Sequence, residues 1–375
     1  MGAAAAHYLG CFANAESLVL VDVDASVHQK AQELQARLTA MGKTVKVKSS
    51  TDVDNAIRGL DGVVAACGYQ SYVDIARKCI EAGVHMVDLG GNRDVVGEQK
   101  ELNDLAVNAG VTHIPDQGLA PGAINIFAMN SVDQLNAQNC KDVTVVMRVG
   151  GLPVDPGSPE ENPMRYKCTW SPDGLINEYL IPADVIEDGV KKQVPALSGL
   201  EHLRFPNGHT TEEFEAFVTG GGSSNLPELL DGKVKNVNYK TIRYVGHHAV
   251  AKSLQVLGLY EGEGRRVLTD AFENNMKLES NDDIIIARAG ARGVDPQGKT
   301  YTVGTDMVCV LDPITGLSAM AQTTGYSAAI VLNMIVNGLI TERGVVCGES
   351  VVPGRTFIDM IRETGIEVGP MGSLG

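Results

Sequence analysis

Three groups of residues in this chain have the types and spacing to do chemistry. Gly2 opens an alanine-rich stretch, Ala3 to Ala6, and Asp22 stands twenty positions after it, just beyond the apolar run Leu18-Val19-Leu20-Val21. In a nucleotide-binding βαβ unit a glycine-rich turn brings a pyrophosphate to a helix N-terminus, and an acidic residue about 20 positions on accepts from the ribose hydroxyls. Asp22 also admits the plain reading of a turn residue; its spacing from Gly2 favours the cofactor reading. A carboxylate there favours NAD, since it accepts from free hydroxyls and repels a 2′-phosphate. Asp24 and Asp52 also follow strand candidates, and for each, ribose or adenine contact competes with the role of a solvated helix cap. Cys67-Gly68-Tyr69 falls where a nicotinamide ribose would pass. Gly68 could permit close backbone approach there, although an ordinary strand-to-helix turn explains the segment equally well.

The second group is Pro115-Asp116-Gln117-Gly118-Leu119-Ala120-Pro121-Gly122-Ala123-Ile124-Asn125. Open α/β sheets bind ligands beyond the carboxyl ends of their strands, and this loop is expected at such an end, which makes Asp116 a candidate acid/base or ammonium anchor. The competing reading is a Gly/Pro turn that only joins two domains. The third group, Tyr239 to His248, places Lys240, Arg243, His247 and His248 beside a predicted helix start. Strand alternation puts Lys240 and Ile242 on one side and Thr241 and Arg243 on the other. Cations here suit a substrate carboxylate, or are simply a wet face. His247 and His248 point in different directions and lack a third ligand at metal spacing, so no metal is expected. The run Thr219-Gly220-Gly221-Gly222-Ser223-Ser224 offers backbone N–H groups to an anion, with a flexible turn as the stronger account.

These residues need a scaffold, and the first 120 positions supply a regular one. Strand candidates at Leu18 to Val21, Thr44 to Lys48, Gly62 to Ala66, His85 to Leu89 and Thr112 to Pro115 alternate with helices near 26 to 41, 51 to 58, 71 to 82 and 97 to 109. That alternation is the pattern of parallel βαβ units. Ser26 and Ser71 are expected helix caps, and Gly42, Gly83 and Gly110 expected stops. Beyond about residue 125 longer strands take over, at Asp142 to Val149, Asn238 to Val245, Asp283 to Ala289, Thr300 to Leu311 and Leu317 to Thr323, forming an antiparallel or mixed sheet. Helices near 173 to 180, 248 to 258, 264 to 277 and 325 to 338 would cover one face of it. The expected division is a dinucleotide-binding domain at 1–124, completed by 340–375, and a substrate and oligomerisation domain at 125–339.

Composition limits the partners. The 375 residues are 44% hydrophobic and 21% charged, with a formal charge of −15. That charge argues against nucleic acid and anionic membranes, both of which require a basic face. Seven scattered cysteines with no C-x-x-C pair favour reduced thiols in a cytoplasm. Neither a membrane span nor a secretion signal is expected.

Several segments together carry a resemblance: VHMVDLGG at 84–91, IPDQGLAPGAIN at 114–125, VGGLPVDP at 149–156, TWSPDGLINEY at 169–179, EAFVTGGGSS at 215–224, YKTIRYVGH at 239–247 and VVPGRTFIDMI at 351–361. The chain resembles the saccharopine dehydrogenase family over nearly its whole length, and within it the branch that oxidatively deaminates the ε-amino group of L-lysine. The resemblance implies a Rossmann-like parallel sheet that binds NAD, a second α/β domain of mixed or antiparallel sheet that shapes the substrate pocket, a homodimer or homotetramer, and chemistry on an amino-acid C–N bond. Asp116, then Lys240, are the expected proton-transfer groups. Arg243, Asn125, Thr241, Tyr69, Ser223 and His247 are the expected substrate contacts, and Gly2, Asp22, Asp24, Asp52, Gly68 and Tyr69 the expected cofactor contacts.

The head of the chain departs from the family pattern. It opens at the fifth position of the glycine motif, so the first sheet is expected to lack its first strand and the motif its first two glycines, with weakened stability and NAD binding. Two alternatives accompany the lysine reading: a saccharopine-type reaction on a lysine-derived secondary amine, and a non-catalytic amino-acid-sensing or oligomerisation protein.

Overall fold

The computed structural model describes residues 1–205, 213–278 and 280–372. The chain divides into two units, Met1–Gly122 with Thr324–Thr364, and Ala123–Thr323 with Gly365–Gly375.

Unit 1 begins with α1 (Gly2–Cys11) and continues through β1 (Ser17–Val21), α2 (Val27–Ala40), β2 (Lys46–Ser50), α3 (Val53–Ala56), β3 (Gly62–Ala65), α4 (Tyr72–Ala82), β4 (His85–Asp88), α5 (Arg93–Lys100), α6 (Asn103–Ala109) and β5 (Thr112–Ile114). Helix α4 shows why these elements form. Tyr72, Ala76, Cys79 and Ile80 recur at helical spacing, are buried on one stripe, and pack with Met86 and Leu102. Gly83 and Gly110 close α4 and α6 in the left-handed conformation, as expected. Ser26 and Ser71 hold the cap positions, but neither side chain makes a cap bond. The single helix expected at 97–109 is two, α5 and α6.

Unit 2 contains α7 (Ala123–Asn136), β6 (Lys141–Pro153), α8 (Pro172–Leu180), β7 (Ala183–Glu187), β8 (Val190–Val194), β9 (Glu201–Arg204), β10 (Glu213–Phe217), α9 (Leu226–Leu229), β11 (Asn236–Tyr244), α10 (His247–Val256), α11 (Gly262–Asn275), β12 (Asp283–Val294) and β13 (Thr300–Val310). The chain then runs through α12 (Ala319–Val336), β14 (Gly344–Val345), α13 (Gly348–Val351), α14 (Gly354–Glu363) and β15 (Glu367–Pro370).

All strand pairs of unit 1 are parallel. β1 and β2 form a two-stranded sheet, and β14-β5-β4-β3 a four-stranded one; among the described residues no ladder joins the two. Helix α1 packs against both β1 and β3. A Cβ at Gly325 would lie 2.6 Å from the Met1 carbonyl oxygen, so glycine is what allows the α12 backbone to approach α1 this closely.

Unit 2 is built on one mixed sheet in the order β15-β13-β12-β6-β11-β10-β9, with β7 and β8 branching from β11. The β6–β11 pair is parallel and its other ladders antiparallel. Helix α7 covers β6, β12 and β13. The other face buries Leu152, Phe214, Ile242, Ile286 and Val308 with Phe205.

Two expectations are corrected here. Leu317 to Thr323 is not a strand: helix α12 starts at Ala319, where the Asp283 carboxylate accepts from the N–H groups of Ala319 at 2.5 Å and Met320 at 3.0 Å and so satisfies its first turn. The C-terminal segment does not belong wholly with the first unit either. β15 pairs antiparallel with β13, which places it in unit 2, whereas 324–339 falls in unit 1.

Candidate functional site

In unit 1 the candidate residues other than Gly2 lie in connections that follow β1, β2, β3 and β5. Gly2 is the exposed first residue of α1. Asp22 follows β1, is exposed, and its Oδ1 accepts the Asp24 N–H at 3.0 Å. Asp24 in turn accepts the Ser26 N–H at 2.8 Å, which holds its carboxyl below the usual range. Asp52 caps α3 by accepting the Asn55 N–H at 3.1 Å. The cap reading therefore has a bond behind it at Asp52, Asp24 closes the turn ahead of α2, whose cap position is Ser26, and Asp22 keeps a solvent-facing carboxylate at a strand end. Gly68 has φ −64° and ψ 136°, a conformation open to any residue, so its backbone does not demand glycine. Tyr69 lies beside Gly91, where a Cβ would stand 3.8 Å from its ring.

The loops after β4 and β5 are locked together by Asp88, the last residue of β4. Its Oδ1 accepts the N–H groups of Gly90 at 2.9 Å and Asp116 at 3.1 Å. Its Oδ2 accepts from Gln99 Nε2 at 2.7 Å and lies 3.3 Å from His113 Nε2. Asp116 is 9% exposed and takes φ 63°. Sequence reasoning missed Asp88, although the residue lies within the quoted VDLGG segment.

In unit 2 the expected residues separate. Lys240 donates to Glu201 at 2.5 Å, and Glu201 also accepts from Arg148. Arg243 is 2% exposed and points the other way: Nε donates to the Tyr179 hydroxyl at 3.1 Å, Nη1 to the Ile242 carbonyl at 3.0 Å and Nη2 to Glu178 at 3.4 Å, while the guanidinium stacks 4.7 Å above the Tyr166 ring. Lys240 and Arg243 are therefore not a converging pair. Three residues apart on a strand, they emerge on opposite faces.

The neighbouring groups are internal too. Thr241 shares a 2.7 Å hydroxyl contact with Thr219. Asn125 is fully buried and donates to the carbonyls of Gly222 at 3.3 Å and Ser223 at 2.9 Å, pinning the glycine run. The Ser223 hydroxyl donates to the Asp184 carbonyl. His247 is held between the Tyr179 hydroxyl at 2.8 Å and the Met164 carbonyl at 2.9 Å. His248 bonds instead to the Leu197 carbonyl. Among the described residues no group of three His, Cys, Asp or Glu could hold a metal ion.

Burial sets the electrostatics around Arg243. It pushes Glu178 up to about 7, with Arg243 pulling the other way, and His247 down to about 3, with Arg243 adding to the fall. The two groups act oppositely on stability. Glu178, raised from 4.5, stabilises the fold most below pH 4.5 and loses that contribution as pH climbs through 7; His247, lowered from 6.5, loses its contribution as pH falls from 6.5 to 3. Between pH 4.5 and 6.5 the slopes oppose each other. Denaturant melts across pH should therefore show the wild type losing ground to Glu178→Gln as pH rises, and to His247→Gln as pH falls, each by about 1.4 kcal/mol per pH unit within its window. Parallel curves for wild type and variant would remove the group from this role.

Residues 1–114 match the saccharopine dehydrogenase NADP binding domain model and residues 118–366 the saccharopine dehydrogenase C-terminal domain model. Among curated relatives, the mitochondrial alpha-aminoadipic semialdehyde synthase of Bos taurus is 27% identical over 369 residues, covering 80% of this chain and 39% of that protein. Saccharopine dehydrogenase [NADP(+), L-glutamate-forming] of Saccharomyces cerevisiae is 21% identical over 383 residues, covering 84% and 85%. Against the semialdehyde synthase of Rattus norvegicus the match spans 23% of the relative's length. The solved apo saccharopine dehydrogenase (L-Glu forming) from Saccharomyces cerevisiae superposes with a TM-score of 0.74 at 18% identity, over 99% of this chain and 98% of that one. Homospermidine synthase from Legionella pneumophila, solved in complex with NAD, gives 0.61 at 14% identity, over 95% and 87%. These two likenesses show the fold. With family models matching both parts of the sequence, the chain belongs to the saccharopine dehydrogenase family.

Proposed function

We propose that this chain oxidises the C–N bond at the ε-carbon of a lysine-derived amine, with saccharopine, the secondary amine joining lysine to a glutamate skeleton, as its substrate. The observation that carries this reading is the Asp88-fixed loop that presents Asp116 just past β5, in a chain matched along its length by one family. The relatives' names, semialdehyde synthase and glutamate-forming saccharopine dehydrogenase, support the same bond.

Unit 1 fits a pyridine nucleotide. The N-terminus of α1 with exposed Gly2 suits a pyrophosphate, and exposed Asp22 at the end of β1 suits a ribose. Bound there, the nucleotide supplies the acceptor for the hydride that leaves the ε-carbon. Asp116 takes the proton from the amine nitrogen, and water adds to the resulting carbon–nitrogen double bond. The C–N bond then breaks to give the semialdehyde and glutamate, with a net release of one proton.

L-Lysine 6-dehydrogenase activity is the second reading, favoured by a specific observation. Three cations of β6 and β11 already have carboxylate partners: Arg148 and Lys240 share Glu201, and Arg243 has Glu178. A substrate with one carboxylate asks less of such a surface than one with three.

Incubation with NAD+ or NADP+ and either L-saccharopine or L-lysine, scoring reduced nucleotide with glutamate or ammonia, tests both readings. Saccharopine is expected to exceed lysine in kcat/KM by at least about tenfold, a difference of roughly 1.4 kcal/mol. Ammonia from lysine alone would establish the second reading, and turnover of neither would end both. NAD+ is expected to be favoured over NADP+ because Asp22 repels a 2′-phosphate, and Asp22→Ala should narrow that preference.

A further inference from the structure

The loop that carries Asp116 owes its shape to a residue outside the proposed chemistry. Asp88 is fully buried, and its two oxygens serve different partners. Oδ1 holds the N–H groups of Gly90 and Asp116, while Oδ2 meets Gln99 and His113; its carbonyl also accepts the Gln117 N–H at 2.8 Å. One side chain therefore ties the loop after β4 to the loop after β5. Asp116 sits at φ 63°, a left-handed conformation that an L-residue keeps only when its surroundings impose it. A Cβ at Gly90 would stand 2.1 Å from Asp116 Oδ1, so this glycine leaves the space in which that carboxylate rests.

Packing alone does not call for such an arrangement. A buried carboxylate is costly to desolvate, and apolar residues of the same volume often serve a fold as well or better. Among the described residues, Gln99 Oε1 and His113 Nδ1, both buried, also have no hydrogen-bond partner in the cluster.

We propose that Asp88 is a positioning residue, fixing the Asp116 backbone and so aiming its carboxylate at the reacting amine, with Gly90 keeping that carboxylate's place open. The inference rests on the role given to Asp116 above. Asp88→Ala removes the acceptors, whereas Asp88→Asn keeps one oxygen for the Gly90 and Asp116 amides. In the full-length protein Asp88→Ala should lower kcat about 30- to 100-fold with KM for the nucleotide within about threefold, and Asp88→Asn should recover most of the loss.

The decisive comparison repeats Asp88→Ala in an Asp116→Asn background, where its further cost should shrink to less than about threefold because both changes disable one device. An equal cost in both backgrounds, or Asp88→Asn as damaging as Asp88→Ala, would overturn the proposal. If Asp88→Ala fails to fold, Gly90→Ala, which presses on the Asp116 carboxylate and Cα while leaving the Asp88 side chain in place, takes its place in the same cycle, where an equal cost in both backgrounds would again overturn the proposal. Amide hydrogen exchange gives a readout that needs no turnover: the Asp116 N–H should exchange at least about tenfold faster in Asp88→Ala than in wild type or Asp88→Asn. A wild type inert toward both amines would end the functional reading, whereas unchanged exchange at Asp116 would end this one.

Discussion

Asp116→Asn should lower kcat/KM for the amine substrate by about 10²- to 10⁴-fold, the range expected when a positioned proton-transfer group is lost. The reasoning starts from charge. An alkyl ammonium with a pKa near 10.4 carries no lone pair to expel a hydride, so it must be deprotonated before oxidation, and a carboxylate that titrates near 3.9 in water is a weak acceptor for that proton. Its contribution depends on placement. Asp116 is 9% exposed and its backbone is held by Asp88, so it can meet the amine in a fixed orientation and pass the proton outward. Asparagine has nearly the same shape and cannot accept the proton. The loss should fall mainly on kcat, and the alkaline rise of kcat/KM should persist because it belongs to the substrate amine. A loss confined to KM would make Asp116 an ammonium anchor instead of a base. Activity within about threefold of wild type would remove it from the chemistry.

What the sequence revealed followed the range of the interactions involved. Helix α4 was legible because its stripe of Tyr72, Ala76, Cys79 and Ile80 and its stop at Gly83 are local patterns. Parallel units were legible for the same reason, since short β-rich runs alternate with helices over the first 120 residues. Leu317 to Thr323 misled because its Leu, Ala, Met and Thr residues suit either state locally. The decision came from Asp283, 36 positions away, whose carboxylate caps the helix.

The site divides along the same line. Asp116 stood out for its loop, and Asp22 for its spacing from Gly2. The partners that define the other candidates lie far away in sequence: Glu178 is 65 positions from Arg243, Glu201 is 39 from Lys240, and Asp88 is 28 from Asp116. No periodicity links such pairs. Alternation along β11 did contain the separation of Lys240 from Arg243, because residues an odd number apart on a strand face opposite ways.

That separation leads to a second large effect. Arg243→Ala should destabilise unit 2 by about 3 kcal/mol, the lower end of the cost of removing one partner from a buried ion pair, because Glu178 keeps some exposure. A domain's whole margin is about 5–15 kcal/mol, so the melt should move far. The guanidinium engages the Tyr179 hydroxyl, the Ile242 carbonyl, Glu178 and the face of Tyr166, and alanine leaves all four without it. Arg243→Lys should recover only part, since an ammonium cannot stack on Tyr166 while donating in a fork. The cost should also depend on pH with a definite sign. Arg243 is what opposes the burial that lifts Glu178 to about 7, so without it the carboxyl titrates higher still. A raised folded pKa means stability is lost as pH climbs through it, so the deficit of Arg243→Ala should be larger near pH 8 than near pH 6. Adding Glu178→Gln should abolish that difference. A variant that melts like wild type but binds the amine poorly would reverse the assignment, making Arg243 a substrate clamp instead of an internal strut.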